Sequence, residues 1–315
     1  MSLTMTKLIH NPVMVAEVVE ALGVKAGGCY IDGTVGAGGH SAAVLERAGA
    51  GRLLGIDADP VAIMLAETRL RKYGQEITLV NDNFSRIGAI ARDNGFYPSD
   101  GILLDLGISS MQVDDAGRGF SFQLEAPLDM RFNPSQEINA ADIVNNFCEA
   151  ELADILYRYG EEYRSRRIAR EIVKRRPIAT TVELARIVES AVGGRHGRVH
   201  PATKTFQALR IAVNNELANL ETALRDAVGI LGHGGRLVII SYHSLEDRIV
   251  KTYLKREATG CICPPGTPVC QCKRAPSIKL VNRRVIVPSE IKVLMNPRSR
   301  SAKMRVAERL CSGGQ

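Results

Sequence analysis

Residues 30–40 hold most of the groups that could bind a small-molecule cofactor. Their sequence is Tyr-Ile-Asp-Gly-Thr-Val-Gly-Ala-Gly-Gly-His, and a helical pattern follows from Ser41. Glycine lets the backbone approach a ligand closely, and the start of a helix offers unpaired N–H groups with a partial positive charge. The stretch therefore predicts a strand, a glycine loop and a helix that together hold a cofactor, although a plain tight turn would have a similar sequence.

The spacing of the glycines narrows the class of cofactor. The dinucleotide fingerprint G-x-G-x-x-G would require glycine at position 41, where the chain has Ser41. Instead, Asp32 stands four residues before Gly36, and Gly38 completes a G-x-G pair. This order is similar to the first motif of S-adenosylmethionine methyltransferases, with Thr34 in place of the first glycine. Because that cofactor has no pyrophosphate, a carboxylate at Asp32 can serve its amino group.

Further candidate ligands follow the next predicted strands. Asp57 lies about 20 residues past the glycine loop, where an acidic residue holds ribose hydroxyls. Phe84 follows the third strand, in a position to lie on an adenine ring, and Asp105 ends the fourth. Each alone could be a helix cap or a core residue. Because ligands of parallel sheets bind at the carboxyl ends of the strands, the set together favours a nucleoside cofactor.

The elements that must position these residues alternate between strand and helix. Predicted strands at 29–31, 52–56, 77–80 and 102–104 are separated by helical patterns, the first of which opens at Asn11 and Pro12. Such alternation predicts an α/β fold with a doubly wound, mostly parallel sheet. A later strand at 237–240 extends this sheet, and we expect a final strand near 303–308 to join it antiparallel.

Two segments interrupt the alternation. Residues 109–133 form a long loop with several aromatic and arginine side chains, and residues 140–192 are helical without a strand signal. We therefore predict a sheet domain made of residues 1–112 and 215–315. Residues 113–214 are expected to form an inserted all-helical subdomain with its preceding loop.

The charge distribution suggests a polyanionic partner for the inserted segment. The chain carries a formal net charge of +7, and residues 164–176 contain seven cationic side chains. A second polar stripe on one helix face comprises Lys204, Gln207, Arg210 and Asn214. A basic run can track the phosphates of a nucleic acid, or it can be a solvated surface. Phe120 and Phe122 in the long loop could stack on bases, or could simply pack.

The segment after the 237–240 strand contains a candidate proton acceptor. Its sequence is Ser241-Tyr-His-Ser-Leu-Glu-Asp-Arg248, and Ser244 with Asp247 resembles a capping box with aspartate in place of glutamate. His243 precedes this predicted cap on the ligand edge of the sheet. Its ordinary pKa near 6.5 suits proton transfer at neutral pH.

Four of the seven cysteines, namely Cys261, Cys263, Cys270 and Cys272, crowd into twelve residues. Four thiols could hold zinc, but one residue between the members of each pair is tighter than common zinc spacings. We therefore expect thiols that are dispensable for catalysis and no metal. With no apolar run near the roughly 18 residues of a membrane span and no apolar leader, the sequence predicts a cytoplasmic protein.

Several long motifs occur between about His10 and Arg309. They are His10-Asn-Pro-Val-Met, residues 30–40, Asp100-Gly-Ile-Leu-Leu-Asp-Leu-Gly-Ile-Ser-Ser110, Arg118-Gly-Phe-Ser-Phe122, Pro127-Leu-Asp-Met-Arg131, Thr205-Phe-Gln-Ala-Leu-Arg210, residues 241–248 and Asn296-Pro-Arg298. Together they resemble one family, the bacterial cytosine-N4 methyltransferases of small-subunit ribosomal RNA (the MraW or RsmH type).

The resemblance implies a class I S-adenosylmethionine methyltransferase that modifies the exocyclic N4 amine of a cytidine in the decoding region of 16S rRNA. It implies the small ribosomal subunit as partner, without a membrane or an obligatory protein partner. The cofactor contacts implied are Gly38, Gly39, His40, Asp57, Phe84, Asp105 and Gln112. We expect Asp105 and His243 to be catalytic, and Arg118, Arg131, Arg166, Arg167, Lys204, Arg210 and Arg298 to bind RNA.

Other readings remain open from the residues alone. A nicotinamide dehydrogenase is disfavoured because position 41 lacks glycine. A non-catalytic RNA-binding protein with a vestigial cofactor site would not need so complete a set of ligand-edge residues, and a methyltransferase of another RNA is a further alternative. The chain also departs from many amino-methyltransferases, which have Asp/Asn-Pro-Pro-Tyr where this sequence has Asp105-Leu-Gly-Ile.

Overall fold

The computed structural model describes residues 12–311, apart from 75, 196, 198, 262, 264–268, 270 and 273. Asn11 of the first predicted helix and Cys270 therefore lie outside the described residues. The chain divides into two compact units, Met1–Gly107 with Ala218–Gln315, and Ile108–Leu217. The predicted boundaries at 112 and 214 lie close to these. No helix in the described ranges has the length and apolar character needed to cross a membrane.

The first unit is built on one mixed sheet, for which the described residues supply seven strands. Their order across the sheet is β3-β2-β1-β4-β5-β7-β6. The first five strands run parallel, and β7 pairs antiparallel with β5 and with β6. The strands are β1 (Cys29–Asp32), β2 (Arg52–Asp57), β3 (Ile77–Asn81), β4 (Ser99–Asp105), β5 (Leu231–Ser241), β6 (Ile278–Leu280) and β7 (Lys303–Arg309).

This topology confirms the predicted doubly wound, mostly parallel sheet with an antiparallel last strand. Strands β2 and β3 lie on one side of β1, whereas β4 and β5 lie on the other. The order therefore reverses between β1 and β4, the switch point at which open α/β sheets bind ligands. Asp32 and Asp105 end the two strands that flank this point. Strand β6 was not predicted.

The strands read as continuous apolar runs because both faces of the sheet are covered. Ile31 and Leu54 belong to the core on one face, and Tyr30 and Leu53 belong to the core on the other. Successive side chains of a strand point to opposite faces, so a strand between two helical layers needs apolar residues at every position. The helices of this unit are α1 (Val15–Leu22), α2 (Gly39–Ala48), α3 (Pro60–Leu70), α4 (Ile87–Asp93), α11 (Glu216–Ile230, which begins in the other unit), α12 (Ser244–Glu257) and α13 (Glu290–Met295).

Local capping residues set the helix boundaries, and the predicted start of one helix was wrong. Asp59 accepts a hydrogen bond from Val61 N at 3.0 Å, and Pro60 occupies the first turn, so α3 begins where its sequence predicts. The first helix begins at Val15 and not at Pro12, because Met14 takes a left-handed conformation with φ of 57°. A left-handed residue cannot continue a right-handed helix, so the predicted start was wrong.

The second unit is helical and has its own apolar core, in which Leu152, Leu156, Ile168 and Leu209 are fully buried. This agrees with the absence of strand signals in residues 140–192. One short helix inside the predicted long loop was missed. The helices are α5 (Ser110–Asp114), α6 (Ala140–Asn146), α7 (Glu149–Gly160), α8 (Ser165–Lys174), α9 (Thr181–Val192) and α10 (Ala202–Asn214).

The remainder of the long loop is irregular but pinned to the helices of its unit. Asn214 accepts from Phe132 N at 2.7 Å and donates to Met130 O at 2.7 Å. Thr181 Oγ1 donates to Leu124 O at 2.7 Å. At Gly119, a Cβ atom would lie 2.2 Å from Pro127 O, so only glycine fits there. The loop is therefore an ordered part of the helical unit.

Candidate active site

The glycine loop after β1 is held in shape from within by Asp32. This carboxylate accepts hydrogen bonds from Ser41 Oγ at 2.7 Å and Thr34 N at 3.2 Å, and only 3% of the residue is exposed. Gly39 faces Pro12, whose Cγ would lie 2.2 Å from an added Cβ. Asp32 thus braces the loop, and its contact with the amino group of the cofactor stays a prediction. Burial raises the pKa of Asp32.

Asp57, at the end of β2, links two loops of the ligand edge. Its Oδ2 accepts from Gly36 N and its Oδ1 from Asp59 N, both at 2.9 Å. An ionised carboxylate offers about four acceptor positions, so two remain for hydroxyl groups such as those of a ribose. Burial raises the pKa of Asp57 to about 6, which the two backbone N–H donors only partly oppose.

Asp105, at the end of β4, is held by three groups. Tyr242 donates its hydroxyl to Asp105 Oδ1 at 2.8 Å, and His40 Nδ1 lies 3.7 Å from Oδ2. The backbone N–H of Asp105 donates to Thr34 Oγ1 at 2.7 Å, which ties the end of β4 to the glycine loop. Burial raises the pKa of Asp105 to about 6, whereas the nearby His40 acts in the opposite direction.

His40 is positioned from its other ring nitrogen. Its Nε2 lies 2.8 Å from Val13 O, and the residue is 6% exposed. A carbonyl can only accept, so Nε2 carries a proton and Nδ1 faces Asp105. His40 therefore lies beside the Asp105 carboxylate without a hydrogen bond to it, and its contact with a cofactor stays a prediction.

Tyr242 is the residue of this site that sequence reasoning missed. It follows β5, whose Ile240 pairs with Asp105, so its phenol reaches the end of the neighbouring strand. Gly107 takes φ of 91°, and a Cβ there would lie 3.4 Å from the Tyr242 ring. The sequence feature that could have identified Tyr242 is its position just after the strand predicted at 237–240. Burial raises the pKa of Tyr242 well above its ordinary value, so it is a donor at neutral pH.

His243 is the cap of α12, which corrects the predicted Ser244 and Asp247 box. Its Nδ1 accepts from Glu246 N at 3.4 Å, and Glu246 Oε2 accepts from His243 N at 3.2 Å. Asp247 instead pairs with Arg305 at 2.8 Å. The other ring nitrogen, Nε2, lies 3.1 Å from Glu246 Oε1. His243 thus has a structural role, and because its neutral ring carries the hydrogen on Nε2, any role as a proton acceptor must use Nδ1.

The remaining predicted cofactor residues are placed as follows. Gly38 precedes α2 with φ of 73°, and Phe84 begins a short 3₁₀ helix after β3 while packing against the core of its face. Gln112 belongs to the second unit, where it closes the cap of α5 by exchanging hydrogen bonds with Ser109 at 3.1 and 3.2 Å. Their contacts with a cofactor stay predictions.

The electrostatics of the ligand edge suit a cation. Three carboxylates, those of Asp32, Asp57 and Asp105, have pKa values raised chiefly by burial. A bound cation would favour their ionised forms, whereas a pyrophosphate would be repelled. S-adenosylmethionine carries an ammonium and a sulfonium, so its charge fits these residues, and a nicotinamide dinucleotide does not.

Three of the predicted RNA-binding arginines are used inside the helical unit. Arg118 donates to Arg131 O at 3.0 Å and to Phe132 O at 2.9 Å. Arg131 forms a two-point pair with Asp129, at 3.0 and 2.7 Å. Arg210 does the same with Glu216, at 2.7 and 2.9 Å, and only 11% of its side chain is exposed. These guanidinium groups hold the loop and the end of α10, which disfavours their prediction as phosphate ligands.

Other cationic residues remain on the surface. Arg166 and Arg167 are exposed on α8, and neither forms an ion pair within the described ranges. Lys204 is exposed, donates to Glu161 O at 2.9 Å, and lies 5.8 Å from the centre of the Tyr163 ring. Arg298 is exposed in a 3₁₀ helix of the first unit. For these four residues, RNA binding stays a prediction.

The two phenylalanines of the long loop pack inside the helical unit, whereas a tyrosine before the basic run is exposed. Phe120 is 7% exposed and stacks on Phe132 at 5.6 Å, and Phe122 packs on His200 at 4.6 Å, so packing accounts for both. Tyr163 is 86% exposed in the turn between α7 and α8, with Tyr157 at 6.5 Å. The sequence signal that could have found Tyr163 is its place immediately before the basic run.

Comparisons with known proteins show the family to which the chain belongs. The family model described as the MraW methylase family matches residues 7–310. "Ribosomal RNA small subunit methyltransferase H" of Dehalococcoides mccartyi is 60% identical over 99% of this chain and 89% of its own length. The proteins of that name from Heliobacterium mobile and Thermomicrobium roseum are each 49% identical, over 96% and 97% of this chain and 99% and 95% of their own lengths. The chain therefore belongs to the MraW methylase family, and its methyl donor is S-adenosylmethionine, as predicted.

Proposed function

We propose that this protein methylates the exocyclic N4 amine of a cytidine in the decoding region of 16S rRNA, within the small ribosomal subunit. The names of its relatives support ribosomal RNA of the small subunit as the substrate class. The observation that carries the proposal is the Asp105 carboxylate, held by Tyr242 and His40 beside the glycine loop. The base and the atom rest on the motif resemblance.

A cytosine amine is a weak nucleophile because its lone pair is delocalised into the ring. S-adenosylmethionine supplies a methyl group that is already activated by its sulfonium. The protein must hold the amine in line with that methyl group and stabilise the positive charge that grows on nitrogen. Asp105 can accept an N–H of the amine, and Tyr242 fixes its carboxylate by donating to Oδ1.

Transfer requires the amine to lose one proton after the new N–C bond forms and the C–S bond breaks. His243 is our proposed acceptor through Nδ1, which must exchange its hydrogen bond from Glu246 N for the proton, because Nε2 of the neutral ring already carries a hydrogen. Asp105, whose pKa is raised to about 6, is the alternative acceptor. Both lie at the carboxyl ends of adjacent strands, β4 and β5.

The helical unit supplies the proposed RNA surface. Arg166, Arg167 and Lys204 offer cationic groups, and the exposed Tyr163 offers an aromatic face on which a base can stack. Such a combination of phosphate contacts and stacking binds RNA without reading a long sequence. The chosen cytidine must leave its stack to reach the amine-binding groups.

The test uses small ribosomal subunits from a strain that lacks this protein. Purified enzyme with isotope-labelled S-adenosylmethionine should transfer one methyl group per subunit, which nuclease digestion and mass spectrometry should map to N4 of one decoding-region cytidine. Asp105→Asn should not transfer it. A label on another RNA, or on another atom of the base, would replace this substrate assignment while leaving the methyltransferase chemistry in place.

A further inference from the structure

A cluster of thiols lies in the segment between α12 and β6, away in sequence from the cofactor residues. The Sγ atoms of Cys261, Cys263 and Cys272 all lie within 4.8 Å of one another. The Sγ atoms of Cys261 and Cys272 are 3.8 Å apart. Close spacing in the sequence led us to expect thiols without a metal. Thiols without a metal have no reason to lie together, yet three sulfur atoms from two separate stretches of the chain do so.

The beginning and the end of this segment lie close together because Glu257, at the end of α12, binds residues that precede β6. Its carbonyl accepts from Ser277 N at 3.0 Å, and its Oε2 accepts from Ser277 Oγ at 2.8 Å. Arg274 Nη2 donates to Glu257 Oε1 at 2.6 Å. The end of α12 is thereby tied to the residues that lead into β6. These hydrogen bonds hold the beginning of the segment, which contains Cys261 and Cys263, close to its end, which contains Cys272.

The sulfur geometry fits a shared metal better than a disulfide. Zinc–sulfur bonds of about 2.3 Å at tetrahedral angles place the sulfur atoms of two ligands about 3.8 Å apart. A disulfide requires about 2.05 Å between sulfur atoms. The Sγ atoms of Cys261 and Cys263 lie within 4.8 Å of each other, and both lie within that distance of the Cys272 Sγ. Both thiols can therefore face one ion.

The chemistry of the ligands also favours zinc. The thiolate is the form of cysteine that binds metal. Thiolate sulfur is a soft ligand that selects zinc over magnesium or calcium.

We propose that Cys261, Cys263 and Cys272 bind one Zn²⁺ ion as thiolates. The ion holds the segment that leads into the edge strand β6, and it takes no part in methyl transfer. Cys270, which lies outside the described residues, is not part of the proposal.

The test measures metal in the full-length protein, expressed with zinc in the medium and purified in the presence of a non-thiol reductant. We expect about one zinc per chain by plasma mass spectrometry. X-ray absorption at the zinc edge should show at least three sulfur neighbours at about 2.3 Å. Cys261→Ser, Cys263→Ser and Cys272→Ser should each lose most of the zinc. The matched control is Cys148→Ser, an exposed cysteine at the start of α7, which should keep it.

S-adenosylmethionine affinity reports whether each variant is folded. If a serine variant fails to fold, wild-type protein stripped by a chelator should rebind one zinc per chain under the same reductant. Zinc content equal in wild type and in the Cys272→Ser variant, or fewer than three sulfur neighbours, would overturn the proposal. So would a Cys261–Cys272 disulfide found in the freshly purified, reduced protein.

Discussion

The carboxyl edge of the sheet and the helical unit use charged residues in opposite ways. At the edge, the acids of β1, β2 and β4 are drawn into partly or fully buried positions, where Asp105 and Asp57 keep acceptor capacity for a ligand. In the helical unit, the side chains of Arg118, Arg131 and Arg210 donate to carbonyls and carboxylates of the protein itself. Sequence reasoning treated both groups as ligand-binding, and the structure favours this interpretation far more at the sheet edge.

The difference has a physical cause. The end of a parallel strand at a switch point must face the ligand crevice, whatever the side chain, so topology assigns the acid's position. A guanidinium on a long side chain has several directions open to it, and it turns inward wherever loop carbonyls lack donors. Isolated arginines in a sequence are therefore weaker indicators of a binding surface than acids that end successive strands.

The largest expected effect comes from Asp105. Replacing it by asparagine removes the negative charge that faces the amine and the cofactor, and we expect methyl transfer to fall at least a hundredfold. A lost charge-assisted hydrogen bond costs about 1.5–3 kcal/mol in binding alone. The measurement is single-turnover methyl transfer to small subunits. Asp93→Asn, an exposed aspartate at the end of α4, is the matched control and should leave the rate unchanged.

His243 tests whether a capping residue can also be catalytic. Asparagine is a good helix cap and lacks the titratable imidazole ring, so His243→Asn separates the two roles. We expect a single-turnover rate about 10²-fold lower, within the range for acid–base groups, with S-adenosylmethionine affinity preserved. A wild-type rate in this variant, while His243→Ala is thermally less stable, would make the histidine structural only.

Asp57 should affect the cofactor and not the RNA. Asp57→Ala removes the acceptor proposed for the ribose hydroxyls and frees Gly36 N, so S-adenosylmethionine should bind about tenfold more weakly or worse. Calorimetry measures the dissociation constant, and small-subunit affinity measured without cofactor should stay as in wild type. An unchanged cofactor affinity in a folded variant would remove Asp57 from the site.

The acidic edge should make cofactor binding depend on pH. Asp57 and Asp105 have pKa values raised to about 6, and a cationic ligand binds their ionised forms better. Affinity should therefore rise as the pH increases from 5 to 7, by about tenfold per carboxylate that must ionise, and level off above. Below pH 6, calorimetry in buffers of different ionisation enthalpy should detect proton release on binding. Asp57→Asn should flatten this dependence.

The same two shifts have the opposite effect on the protein without cofactor. A carboxyl whose pKa is raised in the folded state keeps a proton that the unfolded chain has already lost. The free energy of unfolding should therefore decrease as the pH rises from about 4 to about 6 through these groups. Thermal unfolding with and without S-adenosylmethionine should show the ligand offsetting that decrease.

The smallest expected effect concerns the exposed arginines of α8 and the salt dependence of RNA binding. Replacing Arg166, Arg167 and Arg170 by alanine should lower the salt dependence of RNA binding by about 0.9 in log–log slope for each phosphate contact removed, by analogy with DNA. Cofactor affinity should not change. Lys251→Ala with Lys255→Ala, two exposed cations of α12, is the control pair. An unaltered slope would mean that the α8 arginines are a solvated surface.

The sequence by itself determined the order of elements in the sheet unit apart from β6, and the acids at its ligand edge. Short apolar runs, the Asp59-Pro60 start of α3 and the glycine loop are local signals, and local signals act over a few residues. The helical character of the second unit was equally readable from its 3.6-residue period. The predicted box at Ser244 failed because His243 and Glu246 form a competing cap one residue earlier.

Only the tertiary structure decided which side chains meet across long separations. Tyr242 reaches Asp105 across 137 residues and Thr34 reaches it across 71, because the pairing of β4 with β1 and β5 brings their ends together. The inward turn of Arg210 onto Glu216 depends on which carboxylate the end of α10 leaves within reach. Such contacts are set by strand register and side-chain rotamers, which no single stretch of sequence encodes.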